Sequence, residues 1–163
     1  MKKPPLFFWL LLTVLAFAPE TYAQSYKTGL GVRLSSSNAV QNNSISLKQF
    51  LTDQSALEVL FTFGDPLAIG AVYQKHTPLS VQGMRWFYGA GGYLAFVKTY
   101  NPSTGKQTTD PNVGAQGVVG LDYKFPGIPL NLSLDWKPEL NLVDQIQFEP
   151  GAVGLTARFT FGN

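Results

Sequence analysis

The chain has 163 residues, with 12 lysines and arginines against 10 aspartates and glutamates, a single histidine and no cysteine. A net formal charge of +2 provides no broad basic field, which argues against nucleic acid as a partner. The missing cysteines exclude a disulfide, a thiolate metal site and a lipid anchor built on an N-terminal cysteine.

The first segment in chain order reads as an export signal. Lys2 and Lys3 form a positive end, residues 6–18 an apolar stretch, and Thr21-Tyr22-Ala23 a small-residue cleavage site. Thirteen mostly apolar residues fall short of the ~20 that span a bilayer, and Pro19-Glu20 follows at once. The expected division is a signal peptide at 1–23 and one domain at 24–163. With Gln24 as the new N-terminus, 163 − 23 = 140 residues remain, enough for a single domain. Nothing after the leader is long and apolar enough for a spanning helix, so an integral membrane protein would have to cross with strands.

Eight strands are expected, at 26–35, 43–51, 56–64, 67–76, 84–99, 113–125, 130–142 and 151–162, separated by turn-forming residues. Most have the ~9 to 11 residues that a spanning strand needs. In the first, Leu30, Val32 and Leu34 alternate with Gly29, Gly31 and Arg33; in the second, Ile45 and Leu47 alternate with Ser44, Ser46 and Lys48. The third sets Leu57, Val59, Phe61 and Phe63 against Glu58 and Thr62. The fourth, LAIGAVYQKH, has no clear phase. The fifth sets Trp86, Tyr88, Leu94 and Phe96 against Arg85, Gly89 and Gly91, and the sixth Val119, Leu121, Tyr123 and Phe125 against Asp122 and Lys124. The seventh shows the clearest pattern: Leu130, Leu132, Leu134, Trp136 and Leu140 against Asn131, Ser133, Asp135, Lys137 and Glu139. The last sets Val153, Leu155, Phe159 and Phe161 against Gly154, Thr156, Arg158 and Thr160.

Period-two alternation gives each strand one apolar and one polar face. The interior of an eight-stranded barrel is only just wide enough for side chains to fill, and Trp86, Tyr88, Trp136, Phe159 and Phe161 cannot all enter it. Turning the apolar face outward toward lipid removes the conflict, and the charged and glycine positions then share the lumen. If odd strands run outward, Trp86, Tyr88, Tyr123, Phe125, Phe159 and Phe161 form an inner aromatic girdle, and Phe61, Phe63 and Phe96 an outer one. Connections 51–55 and 126–129 are short, as inner turns should be. Those at 36–42, 100–112 and 143–150 are longer, as outer loops should be, while Gly64-Asp65-Pro66 is a very short outer loop.

The inward set contains seven cations, Lys27, Arg33, Lys48, Arg85, Lys124, Lys137 and Arg158, and four anions, Glu58, Asp122, Asp135 and Glu139. The expected lumen charge is therefore 7 − 4 = +3. Charges confined in a narrow space must be paired or hydrated, so these residues are expected to interlock as a structural plug, with Asp135 paired to Arg158 or Lys124. The cationic excess suggests an anion-selective pore instead, but wide aqueous channels need about twice as many strands.

Other motifs have plainer readings. Gly89-Ala90-Gly91-Gly92 lies within a strand and lacks the strand-to-helix context of a phosphate loop. His76, before Pro78, reads as a turn residue at the inner end of the fourth strand, and one histidine without cysteine makes a poor zinc site. Asn42-Asn43-Ser44 and Asn131-Leu132-Ser133 match the glycosylation pattern only formally. Residues 100–112, YNPSTGKQTTDPN, have the composition of a solvated loop that could meet a partner.

With RWFYGAGGYLAF at 85–96, GLDYKFPGIPLNLSLDWKPEL at 120–140 and GLTARFTF at 154–161, the chain resembles the small eight-stranded outer-membrane β-barrel proteins of the OmpA/OmpX type, and among them the barrels of Bacteroidetes-type Gram-negative bacteria. The resemblance implies an outer-membrane location, lipid as the surrounding medium, and a final strand read by the barrel assembly machinery. Here Phe161 is followed by Gly162 and Asn163, so the aromatic is not terminal.

The expected protein is all-β, a monomeric eight-stranded antiparallel transmembrane β-barrel behind a cleaved signal peptide. It needs no cofactor and is not an enzyme, and it has a structural or surface-interaction role carried by its outer loops. The alternatives are a small pore or conduit, a lipid-modifying enzyme using His76, and a soluble lipocalin-like barrel.

Overall fold

Alternating strands close into a ring. The computed structural model describes residues 26–35, 39–101, 105–143 and 147–162; the expected leader lies outside them. Ten strand segments form one sheet: β1 Thr28–Ser35, β2 Ser44–Thr52, β3 Ser55–Thr62, β4 Leu67–Pro78, β5 Met84–Asn101, β6 Lys106–Lys124, β7 Leu130–Trp136, β8 Glu139–Asn141, β9 Gln147–Glu149 and β10 Val153–Phe161. Each pairs antiparallel with its neighbour through β6 and β7, and β10 joins β7 to β1, closing the barrel. Closure leaves the barrel wall without an open edge.

The ten segments make eight staves. The seventh is interrupted at Pro138, which has no N–H to give the ladder. Lys137 N still donates to Ala152 O at 2.8 Å and Gly117 N to Pro138 O at 3.0 Å, so β8 resumes on β6 in line with β7. β9, paired with β8, lies above β10 in the same way.

Burial alternates in step with the sequence. Leu34 and Phe159 on the exterior are 57% and 59% exposed, whereas Arg33 and Arg158 in the interior are each 1% exposed. The fourth strand resolves into Ala68, Gly70, Val72, Gln74 and His76 inward and Leu67, Ile69, Ala71, Tyr73 and Lys75 outward. Its phase was hidden because the inward residues Ala68, Gly70 and Val72 are as uncharged and apolar as their outward neighbours Leu67, Ile69 and Ala71.

Most of the expected loop 100–112 is strand. β5 and β6 pair without a break from Met84↔Tyr123 to Asn101↔Lys106. β4 leaves the β5 edge at Leu67↔Phe96, and β8 pairs with β6 no further than Asn141↔Gly114, with Leu142 N donating to Val113 O. Among the described residues, the two strands pair beyond those points only with each other, as a ribbon about five residues, or ~16 Å, tall. The β-branched Thr108 and Thr109 suit it, and Pro111 falls where β6 has an unpaired edge, a place where proline is tolerated. The turn-rich composition therefore marks an edge and not a loop.

Candidate functional site: the ion-paired barrel interior

Among the described residues, eight charged ones are buried inside: Arg33, Lys48, Lys137 and Arg158 with Glu58, Asp122, Asp135 and Glu139. Four cations match four anions, so this interior is neutral and not +3. The difference lies in three residues at the end of the barrel that carries connections 53–54, 79–83 and 125–129. Lys27 is exposed there. Arg85, half-buried, donates from Nη1 to Asp53 O at 3.0 Å and lies over the Phe50 ring at 5.4 Å. Lys124, also half-buried, donates from Nζ to Phe125 O at 2.8 Å and Ile128 O at 2.7 Å. All three follow the inward phase of their strands, but they sit where the wall ends and water or backbone carbonyls can take them.

Arg158 organises the deeper of two networks. Its Nε donates to Ser46 Oγ at 2.7 Å, Nη1 to Asn131 Oδ1 at 3.1 Å and to Ser133 Oγ, and Nη2 to Glu58 Oε1. Glu58 also accepts from Ser46 Oγ at 2.6 Å and from Gln74 Nε2 at 2.5 Å. Asp122 accepts from Lys48 Nζ at 3.2 Å, Asn131 Nδ2 at 2.9 Å and Ser133 Oγ at 2.8 Å, and lies 3.8 Å from Arg158. The second network lies toward connection 36–43. Arg33 holds Asp135 through two bonds, Nη2 to Oδ1 at 2.6 Å and Nε to Oδ2 at 3.3 Å. Lys137 Nζ donates to Gln41 Oε1 and Gln116 Oε1, each at 3.2 Å, and is 3.5 Å from Glu139. Glu139 in turn accepts from Val40 N at 2.9 Å and Gln41 N at 3.3 Å. Such charge-assisted bonds are the strong ones, and here they satisfy groups that would be costly if left alone.

Asp135 pairs with neither Arg158 nor Lys124. It stands opposite Gly154, whose missing side chain leaves room for the Arg33 guanidinium reaching across from the next strand. Arg158 stands opposite Asn131, four residues further along the ladder, and reaches over the lumen to β3 instead. His76 is likewise not a turn residue. It is a buried β4 residue held between Phe50 and Phe87, with ring centroids 4.9 and 5.0 Å away, and its Nε2 lies 3.1 Å from Gln74 Oε1. Its hydrogen-bond partner is an amide, not the carboxylate that a hydrolase triad requires. Among the described residues, no group of three histidine, cysteine or acidic side chains is placed to hold a metal.

Several interior residues had no role in the sequence reading. Gln41 is fully buried and reaches Leu60 O through Nε2 at 3.4 Å, so the described residues 39–41 fold into the lumen as part of the plug. Phe87 and Tyr93 fill the bore against Gly120 and Gly114, which have no Cβ to oppose them. Tyr26, Phe50 and Ala56 form an apolar cluster near the turn-bearing end. The available signal was the inward glycines: Gly70 faces Gln41, Gly114 faces Tyr93, and Gly154 faces Arg33. At these three positions the inward glycine makes room for a large neighbour, whereas at Gly31, Gly89 and Gly91 it lets the adjoining backbone come close.

No family profile and no curated protein matches this sequence. Among solved structures, the chain is similar to the N-terminal β-barrel domain of Pseudomonas aeruginosa OprF, with a TM-score of 0.62. The likeness is one of fold. At 17% sequence identity the match covers 83% of this chain and 96% of that domain, so the barrel corresponds over nearly all of its staves.

Proposed function

We propose that this chain is a non-enzymatic integral outer-membrane barrel, monomeric in lipid, that acts through the surface at its loop-bearing end. The observation that carries this reading is the reversal of polarity between the two faces. Lys48, Arg33 and Arg158 are enclosed, while Leu, Val and Phe side chains cover the outside of every stave. An apolar exterior of this kind is solvated by hydrocarbon and would aggregate in water. The fold likeness to the OprF barrel domain agrees with that location. The proposal extends to removal of a leader at 1–23, to insertion by the barrel assembly machinery, and to kinship with the barrels of Bacteroidetes-type bacteria on segments 85–96, 120–140 and 154–161.

The ribbon of β5 and β6 supports a surface role, because it stands beyond the ladders to β4 and β8, and a sheet edge can take an incoming extended segment. Fractionation of expressing cells should leave the full-length barrel in the outer membrane. It should migrate differently in gels before and after boiling, and protease added to whole cells should cut within 98–109. Recovery from the soluble periplasm overturns the reading. The pore alternative rests on the aligned interior, but the paired charges and the Gln41 insertion leave little free bore. Planar-bilayer recordings that show steady open current would favour it.

A further inference from the structure

The cations left out of the interior network gather at one mouth of the barrel. There Tyr26, the ends of β4, β5 and β6 and the connection 79–83 enclose an open well of about 230 Å3 whose floor reaches Asp122. Arg85 and Lys124 both line it. Their hydrogen bonds go to backbone carbonyls, and among the described residues neither lies within ion-pair distance of a carboxylate. The interior is already balanced four against four, so these two charges are surplus to it. Asp122 opposes an anion, but its oxygens are taken by Lys48, Asn131 and Ser133, and the Lys48 charge lies directly behind. The volume far exceeds the ~10–15 Å3 that one water needs, so a tetrahedral oxyanion fits with part of its hydration. Above it, Leu79 and Val81 on the connection are exposed and apolar.

We propose that this well is an oxyanion site, in which the Arg85 guanidinium and the Lys124 ammonium take a phosphate group from free phosphate or from a phospholipid headgroup. The planar fork of arginine grips two phosphate oxygens, while lysine acts as a movable point charge. The apolar rim at Leu79 and Val81 suits the glycerol and acyl portion of a lipid. The site is the same whichever compartment the mouth faces, so its test does not depend on the membrane assignment above.

The test uses the refolded barrel in lauryldimethylamine oxide micelles, with backbone amide shifts of Gly83, Arg85 and Lys124 followed by NMR. Inorganic phosphate is exchanged for chloride at constant ionic strength in one arm, and phosphatidylglycerol is doped into the micelles in the other. The expected result is a saturable shift in at least one arm. Arg85→Gln or Lys124→Gln should each weaken it about three- to tenfold, allowing for partial exposure, and Lys98→Gln at the far end should leave it unchanged. A response to phosphate assigns free anion as a ligand; a response to the lipid alone assigns the headgroup. No saturable shift in either arm, or an equal loss in the Lys98→Gln control, overturns the proposal. Retained heat-shifted gel migration certifies that each variant is folded.

Discussion

Replacing Arg158 with methionine tests whether the interior network holds the barrel together. The substitution keeps most of the volume but removes bonds to Ser46, Asn131, Ser133 and Glu58. Breaking a buried pair by deleting one partner costs ~3–5 kcal/mol, because the remaining charge is stranded. Glu58 keeps donors from Ser46 and Gln74, and Asp122 keeps Lys48, Asn131 and Ser133, so the loss should fall at the lower end, about 3 kcal/mol. Glu58→Gln should cost about 2 kcal/mol, since Arg158 retains three neutral acceptors and a distant Asp122. The double variant should lose clearly less than the two singles added together, by at least ~1 kcal/mol, as coupled partners do. Urea unfolding in phospholipid vesicles, read by the fraction of heat-modifiable folded band, gives all four corners of the cycle. Additivity within ~0.5 kcal/mol would show that Arg158 and Glu58 do not act as a pair, and the plug argument would fall with it.

Gly154→Val should cost roughly 2–4 kcal/mol in the same assay, because a side chain there displaces the Arg33 guanidinium from Asp135, whereas Gly117→Ala should change stability by less than ~0.5 kcal/mol. At Gly117 the added Cβ comes no nearer than 3.7 Å to Pro138, an ordinary contact. Leu134→Arg places a charge on the exterior and should destabilise the barrel in vesicles by up to ~2–4 kcal/mol, as arginine does on a lipid face near the midplane; improved solubility without lipid and unchanged stability would instead mean a water-facing exterior. Excising 98–109 should leave urea stability within ~1 kcal/mol of the parent, because that ribbon pairs only with itself and an isolated hairpin is marginally stable.

The staves and their facing were legible because period two is unforgiving: a one-residue slip would send Arg33, Lys48, Asp135 and Arg158 to the outside together. The strand at 67–76 resisted because its inward residues are as apolar as its outward ones, and periodicity carries information only where the two faces differ. Charge partners were less legible. Strand adjacency suggested Asp135 with Arg158, but a long guanidinium chooses by free volume as well as by neighbourhood, and the vacancy at Gly154 admits Arg33. His76 was misjudged because proximity to Pro78 was read as a turn, although β4 continues to Pro78 itself, paired with Arg85. The ribbon beyond Phe96 was missed since threonine, asparagine and proline at a sheet edge have the same composition as a loop.

Three of the interior pairs join residues 74, 100 and 102 positions apart on strands that are not neighbours in the sheet: Lys48 with Asp122, Glu58 with Arg158, Arg33 with Asp135. None of these can form between sequential hairpins, and each waits until first and last strands meet. A half-finished sheet thus lacks these three pairs, with Lys137 and Glu139 already matched within one stave, whereas the completed ring is neutral within. Such a sequence penalises premature insertion and rewards only the finished cylinder, a proofreading of assembly written into its polar residues.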